Sequence, residues 1–153
     1  MMVNPNDLIE DCVLLLSEDI KQHGITVRKR LSKLPLVSID RDCFKQVVVN
    51  ILLNAIDAMP DGGELLVSSS ASIREEAGTE IVSLHFKDTG DGIPDGLDIW
   101  APFMTTKRSG TGLGLTIVRN IVTAHQGTLD YTSEVGKGTA FRLTLPLGTS
   151  RPA

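Results

Sequence analysis

Asn50 and Asn54 lie four residues apart inside a stretch, Phe44 to Met59, whose other residues are mostly apolar at helical spacing. Gln46, Asn50, Asn54 and Asp57 follow one another at steps of four, four and three, so on a helix they share one side as a polar stripe. Asparagine is a poor helix-interior residue, because its short amide competes for backbone hydrogen bonds. A merely solvated stripe would more naturally carry Glu and Lys. A row of side-chain amides instead offers carbonyl oxygens and N–H groups to a polar ligand and its metal. Mg²⁺ takes oxygen ligands and keeps several waters, so one amide oxygen together with phosphate oxygens would hold it.

The segment Asp88-Thr89-Gly90-Asp91-Gly92-Ile93-Pro94 directly follows a predicted strand. An ionised carboxylate only accepts hydrogen bonds. The exocyclic amino group of adenine donates them, whereas guanine presents an acceptor oxygen at its six position. Asp88 at the base of a pocket would therefore favour adenine over guanine. Gly90 and Gly92 would let the backbone come close to the base. Ile93 would supply an apolar wall, and Pro94 would fix the exit. Taken alone, the same residues also make an ordinary tight turn.

A third segment, Gly110-Thr111-Gly112-Leu113-Gly114-Leu115, leads into another helical pattern. Free backbone N–H groups and the positive end of a helix make an anion site, and Thr111 could add a hydroxyl donor. Thr105, Thr106, Lys107 and Arg108 precede it, with Lys107 the better placed cation for phosphates and Arg108 readable as a solvated charge. No G-K-[ST] occurs and the spacing is G-x-G-x-G, so this is neither a P-loop nor a dinucleotide fingerprint. The competing reading is a loop without chemistry.

The elements that must carry these segments can be traced from the amino-terminal side. Asn4-Pro5-Asn6-Asp7 reads as the start of one helix that ends at Gly24, and Ile25 to Leu31 gives a weak strand signal. Asp40 can cap a second helix running to about Met59. After the turn Pro60-Asp61-Gly62-Gly63, Leu65 to Ile73 and Ile81 to Lys87 form a hairpin across Arg74 to Gly78. A third helix covers Leu113 to His125, and a last hairpin joins Thr128–Ser133 to Thr139–Pro146. This irregular alternation predicts an α/β two-layer sandwich with a mixed, mostly antiparallel sheet and helices on one face.

One domain over residues 1–153, with its core at about 8–146, fits the 153-residue length. A hydrophobic share of 41%, a charged share of 22% and a net charge of −4 without a basic block argue against nucleic acid as the main partner. The longest apolar stretch is broken by Asn50, Asn54 and Asp57, so no membrane contact is expected of it, and no signal pattern opens the chain. Cys12 and Cys43 form no C-x-x-C pair and read as buried small hydrophobes in a reducing cytoplasm.

In this order, these segments resemble the N, G1, F and G2 boxes of the catalytic ATP-binding domain of bacterial sensor histidine kinases, a branch of the Bergerat-fold ATPases. Asn50 to Asn54 looks like the N box, Asp88 to Pro94 the G1 box, Trp100 to Lys107 the F box, and Gly110 to Leu115 the G2 box. Gly136-Lys137-Gly138-Thr139 looks like the closing glycine-threonine element. The resemblance implies ATP and Mg²⁺ as cofactors. It implies Asn54 as the metal ligand and Asn50 as a phosphate or metal-water contact. Asp88, supported by Thr139, would hold adenine. Gly90, Gly92, Ile93, Lys107, Thr111, Gly112, Leu113 and Gly114 would complete the nucleotide site.

It also implies transfer of the γ-phosphoryl group to a histidine on a separate dimerisation and phosphoacceptor domain, with a response regulator engaged indirectly. None of His23, His85 and His125 has the acidic residue after it that a phosphoacceptor usually carries, so all three read as structural, and His125, in the last turn of a helix, sits where a cation is favoured. The chain therefore reads as a catalytic domain acting in trans. Asn50 stands where ATPase relatives place a catalytic Glu, and an amide cannot act as a base towards water at neutral pH. Two rivals remain at this point: an anti-sigma-type serine kinase on the same fold, and a non-catalytic nucleotide-binding module.

Overall fold

The computed structural model describes residues 2–74, 79–94 and 114–146. Its elements are, in chain order, β1 (Met2–Val3), α1 (Pro5–Leu15), α2 (Ser17–Gln22), β2 (Ile25–Leu31), β3 (Val37–Ser38), α3 (Arg41–Ala58), β4 (Gly63–Arg74), β5 (Thr79–Asp88), α4 (Gly114–Ala124), β6 (Thr128–Glu134) and β7 (Gly138–Pro146). Five strands form one sheet in the order β2-β4-β5-β7-β6. β2 pairs parallel to β4 and every other neighbour is antiparallel, which is the predicted mixed sheet.

Alternation along the strands decides which face the helices cover. Leu65 and Val67 of β4, Val82, Leu84 and Phe86 of β5, Phe141, Leu143 and Leu145 of β7 and Leu129 of β6 are all buried. They meet Leu8, Ile9 and Cys12 of α1, the apolar face of α3, and Val118 and Val122 of α4 in one core. Burial pushes the Cys12 thiol up to about 11, so it behaves as a small hydrophobe. Cys43, also expected to be buried, is half-buried.

Two further features differ from the sequence reading. The first helix is not continuous to Gly24. Asn4 caps α1 by accepting from Asn6 N–H at 2.9 Å, and Pro5 sits in its first turn. At Leu16 the backbone (φ −98, ψ 12) breaks away, and α2 begins at Ser17. The break lets Leu16 and Ile20 both bury while Leu14 and Leu15 stay exposed. No Gly or Pro marks the spot, so the sequence carries no local signal for it. The second difference is the small antiparallel pair β1–β3, two residues on each side, too short to show alternation in sequence.

Candidate functional site

α3 positions the polar stripe. Asp40 caps the helix by accepting from Cys43 N–H at 3.1 Å, and that bond is the main cause holding its carboxyl below its ordinary value. Phe44, Val47, Val48, Ile51, Leu52, Ala55 and Ile56 fill the buried face. Along the stripe, Gln46 and Asp57 are exposed, whereas Asn50 and Asn54 are half-buried. Asn50 Nδ2 donates back to the Gln46 carbonyl at 3.0 Å. Asn54 has no such outlet: both Oδ1 and Nδ2 are buried, and neither has a hydrogen-bond partner among the described residues. Leaving a buried amide unsatisfied costs about 1–3 kcal/mol per group, which marks this side chain as the candidate for a partner beyond the fold.

Asp88 ends β5 on the helix-covered side of the sheet. The register pairs Lys87 with Ala140 and Ser133 with Thr139, which brings Asp88, Thr139 and Ser133 into one row at the sheet's end. Asp88 is 4% exposed and Thr139 5%. Asp88 Oδ1 accepts two backbone N–H bonds, from Gly90 at 2.9 Å and from Thr139 at 3.1 Å. Burial pushes the Asp88 carboxyl above its ordinary value; the two N–H bonds oppose that and the nearby Asp91 charge adds to it.

The loop after Asp88 is stitched on both sides. Asp91 N–H donates to the Ala58 carbonyl at 3.1 Å, one turn beyond Asn54 on α3. Gly90 presses on that same carbonyl so closely that a Cβ would lie 2.4 Å from its oxygen. At Gly92, with φ +80, a Cβ would lie 2.4 Å from the Glu134 carbonyl oxygen. The closeness that these glycines provide is thus used by protein backbone, which locks the loop to α3 and to the β6–β7 turn. Ile93 packs partly buried against the core, and its N–H donates to Ser133 Oγ at 2.7 Å.

Ser133 was not singled out in the sequence. Its Oγ also meets Thr139 Oγ1 at 2.8 Å, so it links the Ile93 end of the loop to the Thr139–Asp88 pair. The hairpin register alone would have found it, because Ser133 faces Thr139 once the turn is fixed at Gly136. Gly114 opens α4, whereas Lys107, Thr111, Gly112 and Leu113 lie outside the described residues.

His23 and His125 are bonded to backbone groups, in keeping with structural roles. His125 Nδ1 donates to the Ile121 carbonyl at 2.9 Å while Nε2 accepts from Asp40 N–H at 3.2 Å. The ring also stands edge-on to Phe44 at 4.7 Å, so His125 fastens the end of α4 to the start of α3. His23 Nδ1 bonds the Asp19 carbonyl at 2.8 Å. His85 lies on the other side of the sheet from Asp88.

The orphaned Asn54 amide fits a hard cation: it offers an oxygen of the type Mg²⁺ takes. No group of three or more His, Cys, Asp or Glu side chains able to hold a metal occurs among the described residues, so such an ion would share its shell with the nucleotide and water. The buried, half-engaged Asp88 fits a donor such as an exocyclic amine.

The family model of histidine kinase-, DNA gyrase B- and HSP90-like ATPases matches residues 39–149. The chain is 41% identical over 152 residues to the sensor histidine kinase ZraS of Escherichia coli K12, a match that covers 97% of this chain and 31% of that protein. It therefore spans about a third of the length of this curated relative. Among solved structures, the catalytic domain of histidine kinase ThkA matches with a TM-score of 0.82 at 30% identity, covering 96% of this chain and 97% of that one. ThkA in complex with the response regulator protein TrrA matches with a TM-score of 0.79 at 27% identity, covering 96% and 41%. By sequence and by fold, the chain belongs to the histidine kinase-, DNA gyrase B- and HSP90-like ATPases, and within them to the ATP-binding catalytic domains of sensor histidine kinases.

Proposed function

We propose that this domain binds ATP with Mg²⁺ and transfers the γ-phosphoryl group to a histidine on a separate helical dimerisation and phosphoacceptor domain, from which a response regulator takes it. The observation that carries this reading is the buried, partnerless amide of Asn54 on the helix that also anchors the Asp88 loop. Asp88 receives the adenine amino group; both of its hydrogen bonds among the described residues end on Oδ1, which leaves Oδ2 for that donor. Thr139 and Ser133 hold the carboxylate in place, and Ile93 walls the base. Asn54 offers its oxygen to Mg²⁺, which when bound neutralises phosphate charge. Asn50, its amide already turned back on the Gln46 carbonyl, contacts phosphate or metal-bound water and is no base, so water stays poorly activated.

On the resemblance of their segments, Lys107, Thr111, Gly112, Leu113 and Gly114 grip the phosphates. Catalysis is then positioning and charge neutralisation. The acceptor lies on another domain, because His23 and His125 are tied to backbone groups here. Two free cysteines, Cys12 among them buried, suit the cytoplasm.

The test is incubation with γ-labelled ATP, with and without a histidine-bearing helical domain. The chain alone should bind ATP, hydrolyse it slowly and stay unlabelled. Addition of the helical domain should yield acid-labile, base-stable phosphate on that partner. Label on this chain alone, or brisk hydrolysis without a partner, would overturn the transfer reading. Equal affinity for ATP and GTP by calorimetry would overturn the role of Asp88.

A further inference from the structure

Although the chain as a whole carries −4, the central rows of the sheet face turned away from the helices hold an excess of cations, with Glu64 and Glu134 towards one end of that face. Side-chain alternation places Arg30, Ser68, His85, Arg142 and Asp130 in one continuous cross-strand row over all five strands of the sheet. The neighbouring row runs Arg28, Leu66, Lys87, Ala140 and Thr132. Small residues at the centre leave an open depression of about 330 Å³, lined by Ser68, Ser70, Ala140, His85 and Lys87 among others. Arg28 is bridged to Glu64 at 2.8 Å. Arg30, Lys87 and Arg142 are exposed and make no ion pair among the described residues. In these two rows Arg30, Lys87 and Arg142 stand against one carboxylate, Asp130, opposite Arg142 at the edge, and Lys87 lines the serine-bearing hollow.

We propose that this face is a second interaction surface, which docks a carboxylate-rich segment of a partner protein across the row from Arg30 to Arg142. Guanidinium forks match carboxylates bidentately, and the Ser68 and Ser70 hydroxyls between them can donate to the same oxygens. Burial first, and then the Arg142 charge, hold His85 below the ordinary imidazole value, so it serves as a hydrogen-bonding group and not as a fourth cation. Charge complementarity selects the partner. A membrane surface would call for large apolar side chains to insert, and at the hollow there is only half-buried Leu66. Single-stranded nucleic acid would call for stacking aromatics, and His85 is the one ring in these two rows. The nucleotide site lies on the other side of the sheet, so docking here leaves it open.

The test is titration of the isotope-labelled chain with a deca-glutamate peptide at low ionic strength, followed by amide chemical shifts. Shifts should gather at Ser68, Ser70, His85 and Arg142. The double variant R30E/R142E should bind about tenfold more weakly or worse, and about 0.3 M salt should suppress the parent's binding likewise. ATP affinity should be unchanged in that variant, and Lys87→Ala should give a smaller loss with the fold intact. No binding, shifts centred elsewhere, or equal affinity in parent and R30E/R142E would overturn the proposal. So would preference for phosphatidylserine vesicles or an oligonucleotide over the peptide.

Discussion

Asp88 and Asn54 are both polar groups withdrawn from water near the junction of α3 with the loop after β5, and the fold treats them in opposite ways. Asp88 is held by the protein through one oxygen: Gly90 and Thr139 N–H groups donate to Oδ1, and Thr139 is itself held by Ser133. Asn54 is left with both amide atoms buried and unpartnered. On the proposed function, one end of the candidate site is set before anything binds and the other is completed by what binds.

The sharpest way to break this contrast is Asp88→Asn. The amide can still accept both backbone N–H bonds, but it replaces an acceptor with a donor towards the base, so ATP affinity should fall by about a hundredfold or more in calorimetry. The fold should not suffer. Burial raises the Asp88 pKa above its unfolded value, so its stabilising contribution is present in acid and is lost as pH rises through the folded value. Thermal melts should therefore show parent and variant alike below about pH 4, with the variant gaining on the parent as pH rises. A variant that melts lower at neutral pH would mean that the charge is stabilising and that the pre-set end is misread.

Asn54→Ala probes the other end. It should reduce Mg²⁺-stimulated ATP binding by about tenfold or more. It should also leave the melting temperature of the nucleotide-free protein unchanged or raise it, because the variant removes an unsatisfied amide. Full magnesium stimulation in the variant would assign the metal elsewhere. His125→Phe keeps the ring packing on Phe44 and deletes both hydrogen bonds. Denaturant unfolding should show a loss of about 1–2 kcal/mol, with ATP affinity of the folded protein little changed. The smallest effect is expected for Ser133→Ala, about 0.5–1.5 kcal/mol in stability and a few-fold in ATP affinity. A larger drop in affinity than Asp88→Asn would invert the order of importance within the row.

Much of the placement of the candidate site's residues could be read before the fold was known, because local rules govern it. Helical spacing put Asn50 and Asn54 on one side, and strand parity turned Thr139 inward with Phe141, Leu143 and Leu145. What escaped depends on distant partners. Ser133 becomes part of the site only through the register of β6 against β7. The break at Leu16 is imposed by where Ile20 must bury. His125 reads as structural from sequence, but its partner, the Asp40 N–H, is far away in sequence.

The parallel pairing of β2 with β4 has a consequence for how the molecule assembles. Ile25 meets Gly63 only after the whole of α3 has been threaded between them, whereas β4–β5 and β6–β7 close on neighbouring chain. Closing the long crossover is entropically slower than closing a hairpin. β5 can thus pair early with β4, and β7 with β6, whereas Asp88 and Thr139, 51 residues apart, meet only when the two hairpins dock through β5 and β7. Pulse-labelling during refolding should show β5 and β7 amides protected before those of β2. On that timetable the two hairpins come first, and the buried row of Asp88, Thr139 and Ser133 is a product of their docking.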